Sequence, residues 1–433
     1  MGLFNKAEQK VPILLLIITV VVIAMATMAA VTFAMGDKPP ATASKVSLSP
    51  VPVAEPTQPQ VETFVKMADP EIPPLAPLGP PPIPADNPMS DAKVALGKLL
   101  YFDPRLGGDA SISCATCHEP EQGWSFAEGI SRGYPGTVHW RGSQPVLNAA
   151  YYNKLFAAGS TPSLESQAPS AARGGVAGNG ENDIMEARLR LIPDYVNRFN
   201  DVFGEPWPTI NNAWKAIAAF ERTLVQRDTP LDKYLLGDKT ALDDQQLRGK
   251  VLYEGKARCI LCHNGAFTTN EKYYNIGVPR AMRWEEDGLA QVTFRFEQYA
   301  KGTTEEMYRT IKDDAGLYYR NKNKWSMGKF RVPTLRYTKY TAPFMRQGQF
   351  YTLEEVIDFY DRGGFDEEGR TTSFPETKTP LIQKLGLSDE EKDDLLTFIE
   401  ALSGDEILMD KPKLPPYKPL FTRAELQTAQ VEK

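Results

Sequence analysis

Two pentapeptides concentrate the chemistry of this chain: Cys114-Ala115-Thr116-Cys117-His118 and Cys259-Ile260-Leu261-Cys262-His263. They use all 4 cysteines and two of the 3 histidines among its 433 residues. Two thiols three residues apart on a turn can each form a thioether with one vinyl group of a macrocycle. The histidine directly after them then lies beneath the iron as its proximal ligand. The pattern predicts two covalently attached c-type haems, one on Cys114 and Cys117 with His118, the other on Cys259 and Cys262 with His263. Two rival uses of the same cysteines are a zinc site built from both Cys-x-x-Cys pairs and a pair of disulfides. Neither needs a histidine after each pair.

The elements that must position these loops repeat. Gly97-Lys98-Leu99-Leu100-Tyr101 precedes the first loop and Gly249-Lys250-Val251-Leu252-Tyr253 precedes the second, so a duplicated single-haem unit is predicted. The first helix opens near Ser90 with an apolar helical run, Val94, Leu96, Leu99 and Leu100. Asn211–Val225 carries Trp214, Ile217, Ala218 and Leu224 at helical spacing, after a Gly-, Ala- and Ser-rich stretch at 160–180. Thr352-Leu353-Glu354-Glu355 and Ser388-Asp389-Glu390-Glu391 are capping boxes that each open an apolar helix. No alternating strand run stands out. The fold class expected is mostly α: two cytochrome c-like haem domains in tandem, at 89–235 and 236–410, with a tail at 411–433.

Ahead of them, residues 11–35 hold no charge and are dense in Ile, Leu and Val. Such a run spans roughly 37 Å as a helix, enough to cross a bilayer. A cleaved signal peptide has a shorter apolar core, so a transmembrane anchor is expected, with Lys6 and Lys10 holding residues 1–10 in the cytoplasm. Residues 36–88 contain fifteen of the 35 prolines and read as a polyproline tether. The expected localisation is single-pass in a bacterial inner membrane, with the haem domains in the periplasm, where haem attachment occurs. With a formal net charge of -6 and no basic block, nucleic acid is excluded as a partner. An acidic surface suits a basic or dipolar electron-transfer partner.

The body, from about Met89 to Gly404, resembles the bacterial di-haem cytochrome c peroxidases and their MauG-type relatives. The resemblance rests on Tyr101-Phe102-Asp103-Pro104-Arg105-Leu106, Ile112-Ser113-Cys114 and Pro145-Val146-Leu147-Asn148-Ala149. Leu164-Glu165-Ser166-Gln167-Ala168, Arg331-Val332-Pro333-Thr334-Leu335-Arg336 and Thr341-Ala342-Pro343 complete it. It implies that the amino-terminal haem is peroxidatic and the carboxy-terminal haem relays electrons. The donor is then a small c-type cytochrome or cupredoxin, or a membrane complex, and hydrogen peroxide is the substrate. Gln167 matches the distal glutamine, while Glu181 is the nearest counterpart of the distal glutamate and Pro169 an offset match to the distal proline.

At the relay haem the peroxidases use a methionine as second ligand. The matching place here is Tyr360, as in MauG-type enzymes, with Met345 the nearest methionine. The tyrosine implies a second reading, MauG-like oxidation of a protein substrate through a high-valent di-haem state. A third reading, an electron-transfer subunit of a membrane complex inert to peroxide, uses the same haems. Ala157 stands where the family has an inter-haem tryptophan. Thr341 and Pro343 offer carbonyl oxygens for the family's calcium. His139 has two readings, a distal haem ligand or a surface or propionate contact beside Trp140 and Arg141.

Overall fold

The computed structural model describes residues 72–417 apart from 135 and 137. The anchor run at 11–35, most of the tether and the tail beyond 417 lie outside the described residues. Among the described residues no helix is long and apolar enough to cross a membrane.

Among these residues the longer helices are α1 (Asp91–Tyr101), α2 (Leu164–Ala172), α3 (Asn182–Arg190), α4 (Pro193–Phe203), α5 (Ile210–Glu221), α6 (Asp244–Glu254), α7 (Gly288–Ala300), α8 (Leu353–Asp361) and α9 (Asp389–Glu400). The only sheet among them pairs β1 (Tyr273–Tyr274) antiparallel with β2 (Phe330–Arg331). The body is mostly α, as the sequence implied. Ser90 caps α1, and the predicted capping boxes form reciprocally at Thr352/Glu355 and Ser388/Glu391.

The repeat is visible as two helix pairs built alike. α1 packs across α5, where a Cβ on Gly97 would fall 1.9 Å from the Ala216 carbonyl oxygen. α6 packs across α9, where a Cβ on Gly249 would fall 1.9 Å from the Asp394 carbonyl oxygen. A mid-helix glycine costs about 1 kcal/mol relative to alanine, and here it is what lets the two backbones touch. The close crossing stacks Tyr101 edge-on to Phe220 and Tyr253 edge-on to Phe398, with ring centroids 5.2 Å apart in each pair. Each tyrosine then donates to the carbonyl of the histidine in its haem loop, Tyr101 to His118 and Tyr253 to His263. The Gly-Lys-x-Leu-Tyr motif is therefore a device that ties a helix crossing to a loop.

Two apolar cores follow. One gathers Leu96, Leu100, Tyr101, Trp124, Phe199 and Phe220. The other gathers Leu231, Tyr253, Leu395, Phe398 and Leu402.

Three expectations are corrected, and one stretch read only by its composition gains a structure. Residues 72–88 are not free tether. Leu75 sits in the second core, Leu78 N–H donates to Asp232 Oδ1 at 3.0 Å, and buried Asn87 donates to Glu165 Oε1 at 2.8 Å. Prolines fix an extended backbone, but the Leu and Asn between them still find partners. The 160–180 stretch holds α2, capped by Ser163. The helix drawn over Asn211–Val225 ends at Glu221, because the Thr223 hydroxyl turns back to the Phe220 carbonyl at 2.7 Å. Finally, the chain after α9 returns to the first core. Trp124 Nε1 donates to the Ile407 carbonyl and Arg105 Nη1 to the Pro415 carbonyl, each at 2.7 Å.

Asp232 and Arg336 form a two-pronged ion pair, both contacts 2.8 Å, with side chains 2% and 0% exposed. Leu78 N–H and Thr229 Oγ1 complete the hydrogen bonding of that carboxylate. A chain beginning at residue 72 keeps these contacts. One beginning at residue 89 loses the burial of Leu75 and Leu78, about 1.5–3 kcal/mol for each side chain, and leaves Asp232 short of a donor. Thermal unfolding of the two truncated holoproteins checks this, and equal melting temperatures would contradict it.

Candidate active site

Both Cys-x-x-Cys-His loops open on one cavity of about 1070 Å³. That is at the upper end of ordinary ligand sites, and its walls are mainly apolar. All four cysteines are free. Burial raises each thiol, Cys117 to about 11 and Cys259 to about 12. Among the described residues no three His, Cys, Asp or Glu side chains cluster as a metal site. The two Cys pairs therefore do not converge on one zinc site, and their thiols are neutral groups lining a shared space.

The histidines fit the same use. His263 Nδ1 lies 3.3 Å from the Thr268 carbonyl, which makes Nδ1–H the donor and leaves the Nε2 lone pair free. Thr268 is itself held by the Arg331–Arg336 segment, through Leu335 N–H and Thr334 Oγ1, each at 3.0 Å. His118 Nδ1 is buried and unpartnered. Burial lowers both imidazoles to about 4, against backbone groups of Trp124 and Gln144 for His118, and of Thr268 and Pro333 for His263. Neutral imidazoles are the form that binds iron. Arg331 adds an anion contact: it is buried, its Cζ lies 3.5 Å over the Tyr152 ring, and its Nε and Nη1 have no partner. A haem carboxylate entering the cavity would satisfy both. The residues present thus fit two c-type haems.

Tyr360, on α8, faces the cavity within the apolar cluster of Ile276, Phe344, Met345 and Phe359. Burial, then the Cys262 and Cys259 thiols, push its phenol above the usual range. Met345 belongs to the same apolar cluster and also lines the cavity.

Gln167 also reaches the cavity, from α2. Glu181 does not. It is exposed and precedes α3 without capping it, while Pro169 lies inside α2 away from the lining. The cause is the glycine run between them. Gly178 and Gly180 N–H turn back to the Ala171 and Ala172 carbonyls, so the chain has left the cavity before Glu181.

His139 lines the cavity, stacked on Trp140 with ring centroids 4.0 Å apart. Its Nδ1 accepts from Arg141 N–H at 3.2 Å, so the proton of the neutral ring sits on Nε2. In this arrangement Nε2 carries the ring proton and His139 can donate a hydrogen bond from it. Its pKa is lowered to about 4 by burial and by Arg141, whose guanidinium is paired with Asp314. Ala157 lines the cavity and its carbonyl accepts Arg331 N–H at 2.9 Å. Thr341 and Pro343, offered above to calcium, also lie on the wall.

One cavity residue was not singled out from sequence. Glu221 is only 4% exposed, and burial raises its carboxyl to about 8. Its signal was there: it follows Trp214 by seven residues on the buried face of α5, and both line the cavity.

Comparison with known proteins agrees with this geometry. The pattern of the family described as di-haem cytochrome c peroxidase matches residues 91–240. The chain is 54% identical over 352 residues to the cytochrome-c peroxidase IdrP1 of Pseudomonas sp. (strain SCT), covering 80% of this chain and 91% of that protein. It is 32% identical over 337 residues to the methylamine utilization protein MauG of Methylorubrum extorquens, covering 77% and 84%. The fold also matches a crystal structure of a MauG-like protein associated with microbial copper homeostasis. That match has a TM-score of 0.64 and 28% identity, covering 76% of this chain and 94% of that one.

Proposed function

Because this chain belongs to the di-haem cytochrome c peroxidase family, we propose that it is a membrane-anchored periplasmic enzyme that reduces hydrogen peroxide with electrons from an external donor. The single observation that carries the reading is the one cavity onto which both Cys-x-x-Cys-His loops open. We assign residues 89–235 to the peroxidatic half and 236–410 to the relay half, the last of these, after α9, packing back on the first core. The two bound haems supply the redox chemistry. The chain's own part is to hold them by Cys114, Cys117, Cys259 and Cys262, and to orient His118 and His263 through Tyr101, Tyr253 and the Thr268 carbonyl. Gln167 offers amide N–H groups to a bound peroxide, and the apolar wall keeps bulk water from it.

For the donor, we propose a small c-type cytochrome, with a cupredoxin or membrane complex as alternatives. A relative named cytochrome-c peroxidase supports the first of these. The uncharged run at 11–35 would tether the enzyme to the inner membrane. MauG-like oxidation of a protein substrate is the second reading, favoured by Tyr360 beside the second haem loop.

The test begins with a pyridine haemochrome assay on the purified chain, which should give two haems retained on denaturation. Cys114→Ala and Cys259→Ala should each weaken attachment of one haem only. Peroxide added to the enzyme with reduced c-type cytochrome should then oxidise that cytochrome. One haem per chain, zinc in its place, or an unchanged cytochrome spectrum would each contradict the reading.

A further inference from the structure

The two helix crossings align the halves residue by residue. Beyond the carbonyls already described, a Cβ on Gly97 would meet Phe220 Cβ at 2.9 Å, and one on Gly249 would meet Phe398 Cβ at 2.7 Å. Ala216 and Phe220 therefore correspond to Asp394 and Phe398, and the next residue in each helix is Glu221 in one half and Ile399 in the other. Both are buried and both line the cavity. The same place in the repeat thus carries a carboxyl at the first haem and a hydrocarbon at the second.

The hydrocarbon is what burial favours. An unpaired carboxylate in an apolar wall is costly and responds by holding its proton. Glu221 makes no side-chain hydrogen bond among the described residues. Its neighbours offset that cost only in part. Arg222, the adjacent cation, favours ionisation but less than burial opposes it; its guanidinium pairs with Glu165 at 2.7 Å, and that carboxylate, on α2, opposes ionisation of Glu221. From α1 the buried Tyr101 phenol faces it, and from the haem loop the Cys114 thiol, the atom that becomes a thioether. Neither the phenol nor the thiol carries a positive charge that could offset the carboxylate.

We propose that Glu221 is the charge-compensating residue of the first haem: it binds one proton when that iron is reduced and gives it up when the iron is reoxidised. The electron comes from the external donor and the proton from solvent, so the buried site gains no net charge on reduction. Reduction puts negative charge into a cavity of low dielectric, and a carboxyl beside it answers by becoming a better base. A pKa near 8 before loading puts the exchange close to neutral pH. The second half, with Ile399, has no such group. This residue then separates the two haems and makes reduction of the first one proton-linked. The inference rests on the reading that Cys114, Cys117 and His118 carry a haem.

The experiment is a spectroelectrochemical titration of both haems in the full holoprotein from pH 6 to 9. The first haem's midpoint potential should fall as pH rises, by up to about 59 mV per unit for one proton per electron. The second should stay flat. Glu221→Gln, nearly the same shape, should flatten the first while keeping two haems. A wild-type first haem whose potential ignores pH overturns the proposal, as does a slope that survives in Glu221→Gln. If Glu221→Gln loses the haem, Glu221→Asp decides: a displaced pH window supports the assignment, and an unmoved one overturns it. Absence of a haem on the first loop in the wild type would instead overturn the reading beneath it.

Discussion

Tyr360→Met is expected to raise the potential of the second haem by much more than 30 mV. Tyr360 lies on the cavity wall beside Cys259 and Cys262. A phenolate is a hard anionic donor that favours ferric iron, while a thioether is neutral and soft. Axial-ligand identity moves haem potentials across roughly 0.8 V, so this exchange should be among the largest single changes available to the chain. Burial works against the phenolate, since it raises the phenol's pKa in the absence of a cation. Ligation therefore depends on the iron's own charge to draw off the proton. The ferric wild type should lack the near-infrared thioether band, and Tyr360→Met should gain it, with reactivity moving toward that of an ordinary peroxidase. Met345 makes the test sharp, because it stands on the same wall. A thioether band already present in the wild type would identify Met345 as the ligand. Unchanged potentials in both Tyr360→Met and Tyr360→Phe would return Tyr360 to packing and remove the main support of the MauG-like reading.

Gln167→Ala should slow peroxide turnover at least tenfold and leave both haems in place. Assistance from a positioned hydrogen-bonding or proton-transferring group is worth about 10²–10⁴-fold. Gln167 projects from α2 into the cavity, whereas Glu181 is exposed outside it. The same turnover assay on Glu181→Ala should give the wild-type rate. Wild-type turnover in Gln167→Ala, or a large loss in Glu181→Ala, would reverse the two roles.

These pairs show what was legible before any coordinates. The spacing of Cys114, Cys117 and His118, and of Cys259, Cys262 and His263, determined the covalent chemistry, because attachment depends on a few adjacent residues. The repeated Gly-Lys-x-Leu-Tyr and the capping boxes at Thr352 and Ser388 were equally local, and each forms the contact its pattern implies. Tertiary structure alone decided which distant groups share the cavity. Glu181 looked like an acid near Gln167 along the chain, yet glycine turns carry it out. Glu221, fifty-four residues from Gln167, is brought in by the crossing of α1 and α5. His139 could be named, but only the fold set its Nδ1 against Arg141 N–H. Residues 72–88 read as tether because proline erases every local period, while Leu75, Leu78 and Asn87 are held by partners far along the chain. Bonding patterns are short-range and survive in the sequence. Burial, tautomer and charge depend on what packs against a group, and that is settled only when the chain has folded.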